Sequence, residues 1–536
     1  MQVLKISLHI VLMIIRNKKW EQESVTLEKG NGYKSLVNTI LTSGVAVVLS
    51  YLINFFLTPF ITDTIGTESY GYITLAKTMV SYASIITVGF TAFMVRYITL
   101  EYHKKNYKEC RAYFSSSVGA VVVISAAILV VAGIGIMFID KWLMVLPNMV
   151  NSIRVLFFLV FLNFCFTTCA VPYTATCYIK NKLSIYNTLK IASYCIEAII
   201  LFLLFSNLPT EIWYVGIGLL ATSLIIFIGS IIITQRLTPE LVFDRQLVSI
   251  SKVKNLASNG VWQSVNSLGN VLNSGLDLLI TNQMLSTLAM GQLSIAKTIG
   301  SMFSILYSTV SQAFQPRMMK AYASENKQDF LGELRLAMRV SGFFSGCGFA
   351  GFLALGTLYY KLWIPNQDFS FIFNLTVVTI LCSVAEGVII PAYFVNTLTT
   401  KKRIPCLVTV GSGLANVLGM YSLIKYTSLG VFAVVWTTAV LSFLTNMVFN
   451  PIYCSVTLKL PWYTLYPTIL KHILGCSIMC FVYKILSELI NPTGWIGLIG
   501  TAILCCIVGV VFYFMISANA QEKRAVISKL RKKVHL

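Results

Sequence analysis

Between Asn259 and Arg317 two membrane-length apolar segments each carry a row of polar side chains. In the first the row reads Asn259, Gln263, Asn266, Asn270, Asn273/Ser274, Asp277 and Thr281. Steps of three and four residues keep these groups on one helix face. After a short break at 284–290 the second segment continues with Ser294, Lys297/Thr298, Ser301, Ser304, Ser308, Ser311/Gln312 and Gln315. Amides and hydroxyls in such rows bond the hydroxyls of a polar cargo, and an ammonium group suits phosphate or acidic sugar oxygens. A charge at mid-bilayer costs about 2.5–3.5 kcal/mol on the lenient insertion scale, so charged positions face a bundle interior or a wet cavity. Two neighbouring helices striped in this way predict an aqueous internal chamber through which something polar moves.

Beyond the two rows, a few ionisable residues stand out. Lys77 lies with Thr74, Ser81 and Ser84 on a stripe like that of Lys297. Both lysines are about 8 Å from the outer helix end at 1.5 Å per residue, so snorkelling to the interface is the competing reading. Asp277 is either the ion-pair partner that lets a lysine sit in the membrane or a counter-ion and proton carrier. Glu197 and Glu386 are single carboxylates in otherwise apolar spans, suited to a proton or cation site or to an interhelical hydrogen bond. Arg96 and Arg317 end their helices; they read as topological and C-capping residues, with an anionic lipid head group as the alternative partner. The thirteen cysteines include no C-x-x-C, and most lie in apolar runs as small hydrophobes. His9, His103, His472 and His535 are scattered, so no metal site is expected.

These residues need membrane helices to position them. The 536 residues are 56% hydrophobic and only 11% charged, far below the roughly 25% charge of soluble domains. The apolar runs are unbroken, which excludes a β-barrel. Fourteen spans of about 20 residues are expected, at 36–60, 72–96, 112–138, 153–176, 184–206, 212–234, 255–283, 290–314, 336–357, 370–395, 405–424, 429–451, 470–487 and 495–516. The fold expected is an all-α integral membrane protein.

The net charge of +21 is spread over short clusters between spans, which excludes a nucleic-acid-binding domain. With an even number of spans and both termini cytoplasmic, the outside keeps only Lys141, Arg154, Lys361, Lys425 and Lys484 among the cations between spans. Residues 6–15 form an apolar run followed by Arg16, Lys18 and Lys19. That run reads as an interfacial segment or a non-native upstream start rather than a signal peptide.

An internal repeat groups the spans. Gly71-Tyr72-Ile73-Thr74-Leu75-Ala76-Lys77-Thr78 aligns with Gly291-Gln292-Leu293-Ser294-Ile295-Ala296-Lys297-Thr298. Ile61-Thr62 answers Ile280-Thr281, Phe93 and Arg96 answer Phe314 and Arg317, and Pro172 answers Pro391. The order indicates two parallel six-helix lobes, a transporter plan that puts the substrate between them. The expected divisions are an N-terminal segment 1–35, an N-lobe 36–234, a linker 235–254, a C-lobe 255–451, two accessory helices in 452–516 and a basic tail 517–536. The octets resemble a degenerate Walker A, but a phosphate-binding loop follows a strand, and these octets lie in helices.

Two six-helix lobes plus two helices, the outer turn Gly66-Thr67-Glu68-Ser69-Tyr70-Gly71-Tyr72, the span end Arg96-Tyr97-Ile98 and the segment Asn273-Ser274-Gly275-Leu276-Asp277-Leu278-Leu279-Ile280 together resemble the polysaccharide exporters of the MOP superfamily. Among those, the O-antigen and capsule repeat-unit flippases are most similar. The resemblance implies a V-shaped, drug-extruder-like fold in a bacterial inner membrane. It implies outward flipping of undecaprenyl-pyrophosphate-linked oligosaccharide by alternating access, with a polysaccharide polymerase and a chain-length regulator as partners alongside membrane lipids.

The substrate-facing set is then Lys77, Lys297, Asn266, Asn270, Ser301, Arg96 and Arg317, with Asp277, Glu197 and Glu386 as coupling or counter-ion residues. No cofactor is expected; coupling to an H+ or Na+ gradient stays open. A cation-coupled drug exporter is the first alternative, although 36–60 lacks the carboxylate such extruders often carry there. A membrane polymerase or glycosyltransferase is the second, and no external loop here carries the paired carboxylates it would need.

Overall fold

The computed structural model describes residues 31–324, 326–399 and 401–518. The run at 6–15, the basic tail from 519 and most of the N-terminal segment lie outside them. Among the described residues the chain is helical, without strands. In order the helices are α1 Asn31–Thr64, α2 Thr67–His103, α3 Tyr107–Met137, the short α4 Ile139–Trp142, α5 Val150–Ile179, α6 Leu183–Asn207, α7 Trp213–Leu237, α8 Ile250–Asn270, α9 Asp277–Met284, α10 Thr287–Ala323, α11 Lys327–Trp363, α12 Phe369–Leu398, α13 Arg403–Tyr426, α14 Val431–Leu444, α15 Asn450–Thr457, α16 Tyr466–Ile490 and α17 Gly494–Ser517. Hydrogen bonding shifts to the π pattern at Val271–Gly275 and Thr445–Phe449.

Thirteen helices among the described residues are long and apolar enough to cross a membrane, against fourteen expected. The missing one is the expected span 255–283. That stretch is not a single helix: α8 gives way to the π turn, and α9 begins only at Asp277. The same polar row that marks the segment also dilutes its apolar content. Other helices exceed their expected spans. At 37 residues each, α2, α10 and α11 extend about 55 Å, well past a hydrocarbon core of about 30 Å. Turns between helices are tight and stereochemically specific. Gly66 joins α1 to α2 at φ +109°, a conformation that a side chain disfavours, and its N–H bonds the Ile61 carbonyl. Asn106 and Asp368 cap α3 and α12 by accepting from the Glu109 and Phe371 amides.

The chain groups into two compact units. Among the described residues the first holds 31–295 with Cys406–Val434, and the second holds Ala296–Pro405 with 435–518. This grouping differs from lobes divided at the linker 235–254, because α8, α9 and α13 pack with the first six spans. The packing reason is close backbone approach. A Cβ on Gly260 of α8 would lie 1.6 Å from the Gly89 carbonyl oxygen of α2, so the two helices touch backbone to backbone. The repeat glycines do the same: Gly71 meets the Gly291 backbone, and a Cβ on Gly291 would lie 2.4 Å from the Thr67 oxygen. Small residues at such crossings are how membrane helices pack where no hydrophobic force separates helix from lipid. Helices α5 and α7 are joined by a hydroxyl ladder in which Thr176 reaches Thr234 at 3.1 Å and Thr238 at 2.8 Å. Asn282 clamps the loop after α4, accepting from the Met144 amide at 2.9 Å and donating to its carbonyl at 3.1 Å.

In the second unit α11 packs against α12, α16 and α17. The buried His472 bridges them, with Nδ1 3.0 Å from the Tyr513 hydroxyl and Nε2 3.0 Å from the Val384 carbonyl. Arg339 donates to the Ser517 carbonyl at 3.2 Å, capping the end of α17 with positive charge. The two accessory helices are thus keyed into this unit by buried polar contacts as well as by apolar area.

Replacing Gly260 by Leu must separate α2 from α8, a backbone clash expected to cost at least the 1–3 kcal/mol, roughly, of ordinary overpacking. Thermal unfolding of detergent-purified protein should show a clear loss of Tm or of monodisperse protein for G260L. Leucine at Gly411, where a Cβ meets nothing within 4 Å, should leave both unchanged. Equal stability of the two variants would contradict the packing.

Candidate functional site

In the first unit α8 presents Asn259, Gln263, Asn270 and, beyond its end, Ser274 as exposed side chains, with Asn266 half-buried beside them. Arg96 is exposed near the end of α2. Next to it Tyr97 stacks on Tyr113 of α3 at 5.2 Å between centroids, and the Lys252 ammonium lies 4.4 Å over Tyr113. Asn255 donates to the Tyr113 hydroxyl at 3.0 Å and Asn259 to the Tyr97 hydroxyl at 3.2 Å. Lys252 also pairs with Glu109. The lower part of the polar face is therefore an ordered amide–tyrosine network rather than a set of independent side chains.

The row changes character at the π turn. Asn273 is turned toward α13: its amide donates to the Gly269 carbonyl of α8 and the Thr409 carbonyl of α13, both at 2.8 Å, and accepts from Ser412 of α13 at 3.0 Å. Asn416 in turn donates to the Asn273 carbonyl at 2.7 Å, and Tyr82 of α2 to the Gly275 carbonyl at 2.7 Å. These groups satisfy the backbone that a π turn leaves out of α register. Asn273 thus holds the helix break, which removes it from the cargo-facing row. Asp277 and Thr281 beyond the break are buried, and Asp277 opens α9, where a carboxylate favours the helix N-terminus.

Lys77 is half-buried on α2, and its ammonium and the Glu197 carboxylate of α6 lie within electrostatic reach of one another. Glu197 is only 6% exposed and accepts from the Thr222 hydroxyl of α7 at 3.0 Å. Gly218, one turn before Thr222, makes room for it, since a Cβ there would stand 3.2 Å from the Glu197 Cγ. The carboxylate expected to stand alone therefore has a hydroxyl partner on α7, with the Lys77 charge of α2 within reach.

In the second unit Lys297 is half-buried, Ser301 exposed and Ser311 buried along α10. Tyr307, on the same helix and 2% exposed, donates to Glu386 of α12 at 2.6 Å. Further along α12, Tyr393 bonds Asn446 at the second π turn, and Asn450 donates to the same Asn446 oxygen at 3.1 Å. Arg317 is held by Glu333 of α11 at 2.7 Å and lies 5.9 Å from the Phe314 ring, so it ties α10 to α11. The repeat-related Arg96 is exposed instead.

The structure thus gives Glu197 a threonine hydroxyl and Glu386 a tyrosine. It places Asn266 and Asn270 on one face of α8 and leaves Arg96 exposed near the end of α2 in the first unit, with Lys297, Ser301 and Arg317 along α10 in the second. Sequence reasoning missed Tyr307, Thr222, Tyr97 and Tyr113. Tyr307 sits at helical spacing from Ser304 and Ser311, a signal hidden by its apolar ring. The others make their hydrogen bonds across 25 to 162 positions and left none. Among the described residues no group of three or more His, Cys, Asp or Glu could hold a metal ion.

Comparison with known proteins places this geometry. The uncharacterized membrane protein EpsK of Bacillus subtilis (strain 168) is 26% identical over 491 residues, covering 91% of this chain and 96% of its own. A lipid II flippase MurJ structure in an inward closed conformation has the same fold at TM-score 0.64 and 14% identity, covering 90% of this chain and 99% of its own. An inward-facing multidrug resistance MATE family transporter of the MOP superfamily superposes at TM-score 0.59 and 13% identity, over 78% of this chain and 99% of its own. Residues 36–322 match the family described as polysaccharide biosynthesis protein. With more than half its length matched, the chain belongs to the polysaccharide biosynthesis protein family.

Proposed function

We propose that this protein flips an undecaprenyl-pyrophosphate-linked oligosaccharide repeat unit from the cytoplasmic to the outer leaflet of a bacterial inner membrane by alternating access, with both termini cytoplasmic. The observation that carries the reading is the family match, joined to a half-buried Lys77 on the membrane-length helix α2 and to the exposed amides of α8. The similarity in fold to a lipid II flippase supports a lipid-linked cargo. In this reading Lys77 and Lys297 take the pyrophosphate oxygens, while Asn266, Asn270 and Ser301 take sugar hydroxyls. Arg96 and Arg317 attract the head group at the inner mouth, and a polymerase with its chain-length regulator receives the product.

Glu197 gives the scheme a counter-charge. A lysine whose field is balanced by a carboxylate can be kept in the membrane at lower cost, and an arriving phosphate competes for it. Asp277 serves as a further counter-ion. The Tyr307–Glu386 pair supports coupling to an H+ or Na+ gradient, because a carboxylate on a single hydrogen bond can exchange it for a cation or a proton. No other cofactor enters the scheme.

The K77Q/K297Q double variant should insert normally and fail to restore polysaccharide export in a strain deleted for the gene. Full complementation would remove both lysines from the mechanism. In proteoliposomes carrying an imposed proton or sodium gradient, E386Q should reduce gradient-stimulated transport at least tenfold while leaving gradient-free exchange near wild type, and Y307F should fall between. An unchanged gradient response in E386Q would take the coupling role away from this pair.

A further inference from the structure

The linker between α7 and α8 carries a feature that transport does not use. Residues 238–250 run along α3 instead of hanging free. The Ser115 hydroxyl accepts from the Asp244 amide at 3.0 Å, and the Ser116 hydroxyl accepts from the Ser249 amide at 2.9 Å. Arg111 pairs with Asp244 at 3.6 Å, and Val248 lies 3.7 Å from where a Cβ on Gly119 would stand. These contacts fix the linker's level on α3. Residues 118–137 of that helix are an uncharged apolar run of about 30 Å at 1.5 Å per residue, the thickness of a hydrocarbon core. Residues 107–117 carry Lys108, Glu109, Arg111 and the three serines, and so lie at head-group level or beyond. The linker crosses α3 where one stretch gives way to the other.

At that level it exposes large apolar side chains: Val242 at 54%, Phe243 at 46%, Val248 at 40% and Ile250 at 85%, whereas its Leu241 is buried against the protein. Interleaved with them are the exposed Arg245 and Gln246. Four apolar groups within nine residues, beside a cation, at the boundary of the acyl region, match the composition of an interfacial membrane anchor. The backbone on the other side is held by serine hydroxyls and an ion pair, so the exposed side chains are aimed away from the protein. We propose that residues 242–250 are a lipid-seated strap: Val242, Phe243, Val248 and Ile250 enter the acyl boundary of the leaflet next to the Arg96 and Arg111 ends of α2 and α3, and Arg245 meets an anionic head group. The strap leads directly into α8 and sets the membrane level at which its amide face begins. This inference does not depend on the identity of the cargo.

The test is site-specific photo-crosslinking of the full-length protein with p-benzoylphenylalanine at Phe243, Ile250 or Gln246. The protein is reconstituted into phosphatidylethanolamine/phosphatidylglycerol vesicles containing an alkyne-tagged phosphatidylglycerol. Exposed positions tolerate the probe, and monodisperse elution before reconstitution confirms folding. Lipid adducts at 243 and 250 should exceed those at 246 at least fivefold. Equal yields at the three positions, no lipid adduct, or adducts running as protein dimers would overturn the strap, the last by making the face a contact with a second copy.

Discussion

The structure depends on one constraint: a polar group inside a hydrocarbon layer has no water to turn to and must be met by another part of the chain. Each polar residue well inside a span for which a contact is described here obeys it by reaching a neighbouring helix. Glu197 is met by Thr222 and the field of Lys77, Glu386 by Tyr307, His472 by Tyr513 and a backbone carbonyl, and Asn273 by two carbonyls and a serine. These contacts bind helices distant in sequence. They also decide which polar side chains are left over for a cargo. On α8 Asn259 is engaged by Tyr97, while Gln263 and Asn270 stay exposed on one face.

Backbone proximity supplies the other half of the packing. Where the hydrophobic effect cannot distinguish helix from lipid, glycine crossings such as Gly89 on Gly260 and Gly71 on Gly291 bring peptide groups into direct contact. The internal repeat gains a physical meaning from this. Its glycines mark the start of α2 and α10, where the two helices meet in the first unit. Its lysines, six positions on, mark the polar stripe of each. The repeat's arginines have diverged in environment, one ion-paired to Glu333 and the other exposed, so equivalence in sequence has not preserved equivalence in chemistry.

Much of this was legible in the chain. Apolar runs of about 20 residues indicated fourteen spans, thirteen of them membrane-length apolar helices among the described residues, and the polar rows on α8 and α10 appeared as steps of three and four. What escaped was set by contacts between distant segments. The break at 271–275 leaves only a clue in Asn273-Ser274-Gly275, because its stabilising partners Thr409, Ser412 and Asn416 come from a helix more than 130 residues on. Glu197 appeared solitary because Lys77 is 120 positions away. The grouping of α8 and α13 with the first six helices could not follow from the linker's position, since it rests on glycine crossings that periodicity does not report.

The central claim is movement of a lipid-linked glycan between leaflets. It is tested most directly with purified protein in liposomes containing a fluorescent undecaprenyl-pyrophosphate oligosaccharide, quenched from the outside by a membrane-impermeant reductant. If the account holds, protein-containing vesicles lose fluorescence from both leaflets in proportion to protein content. If the inner-leaflet signal is protected as fully as in protein-free vesicles, the chain does not flip this class of molecule.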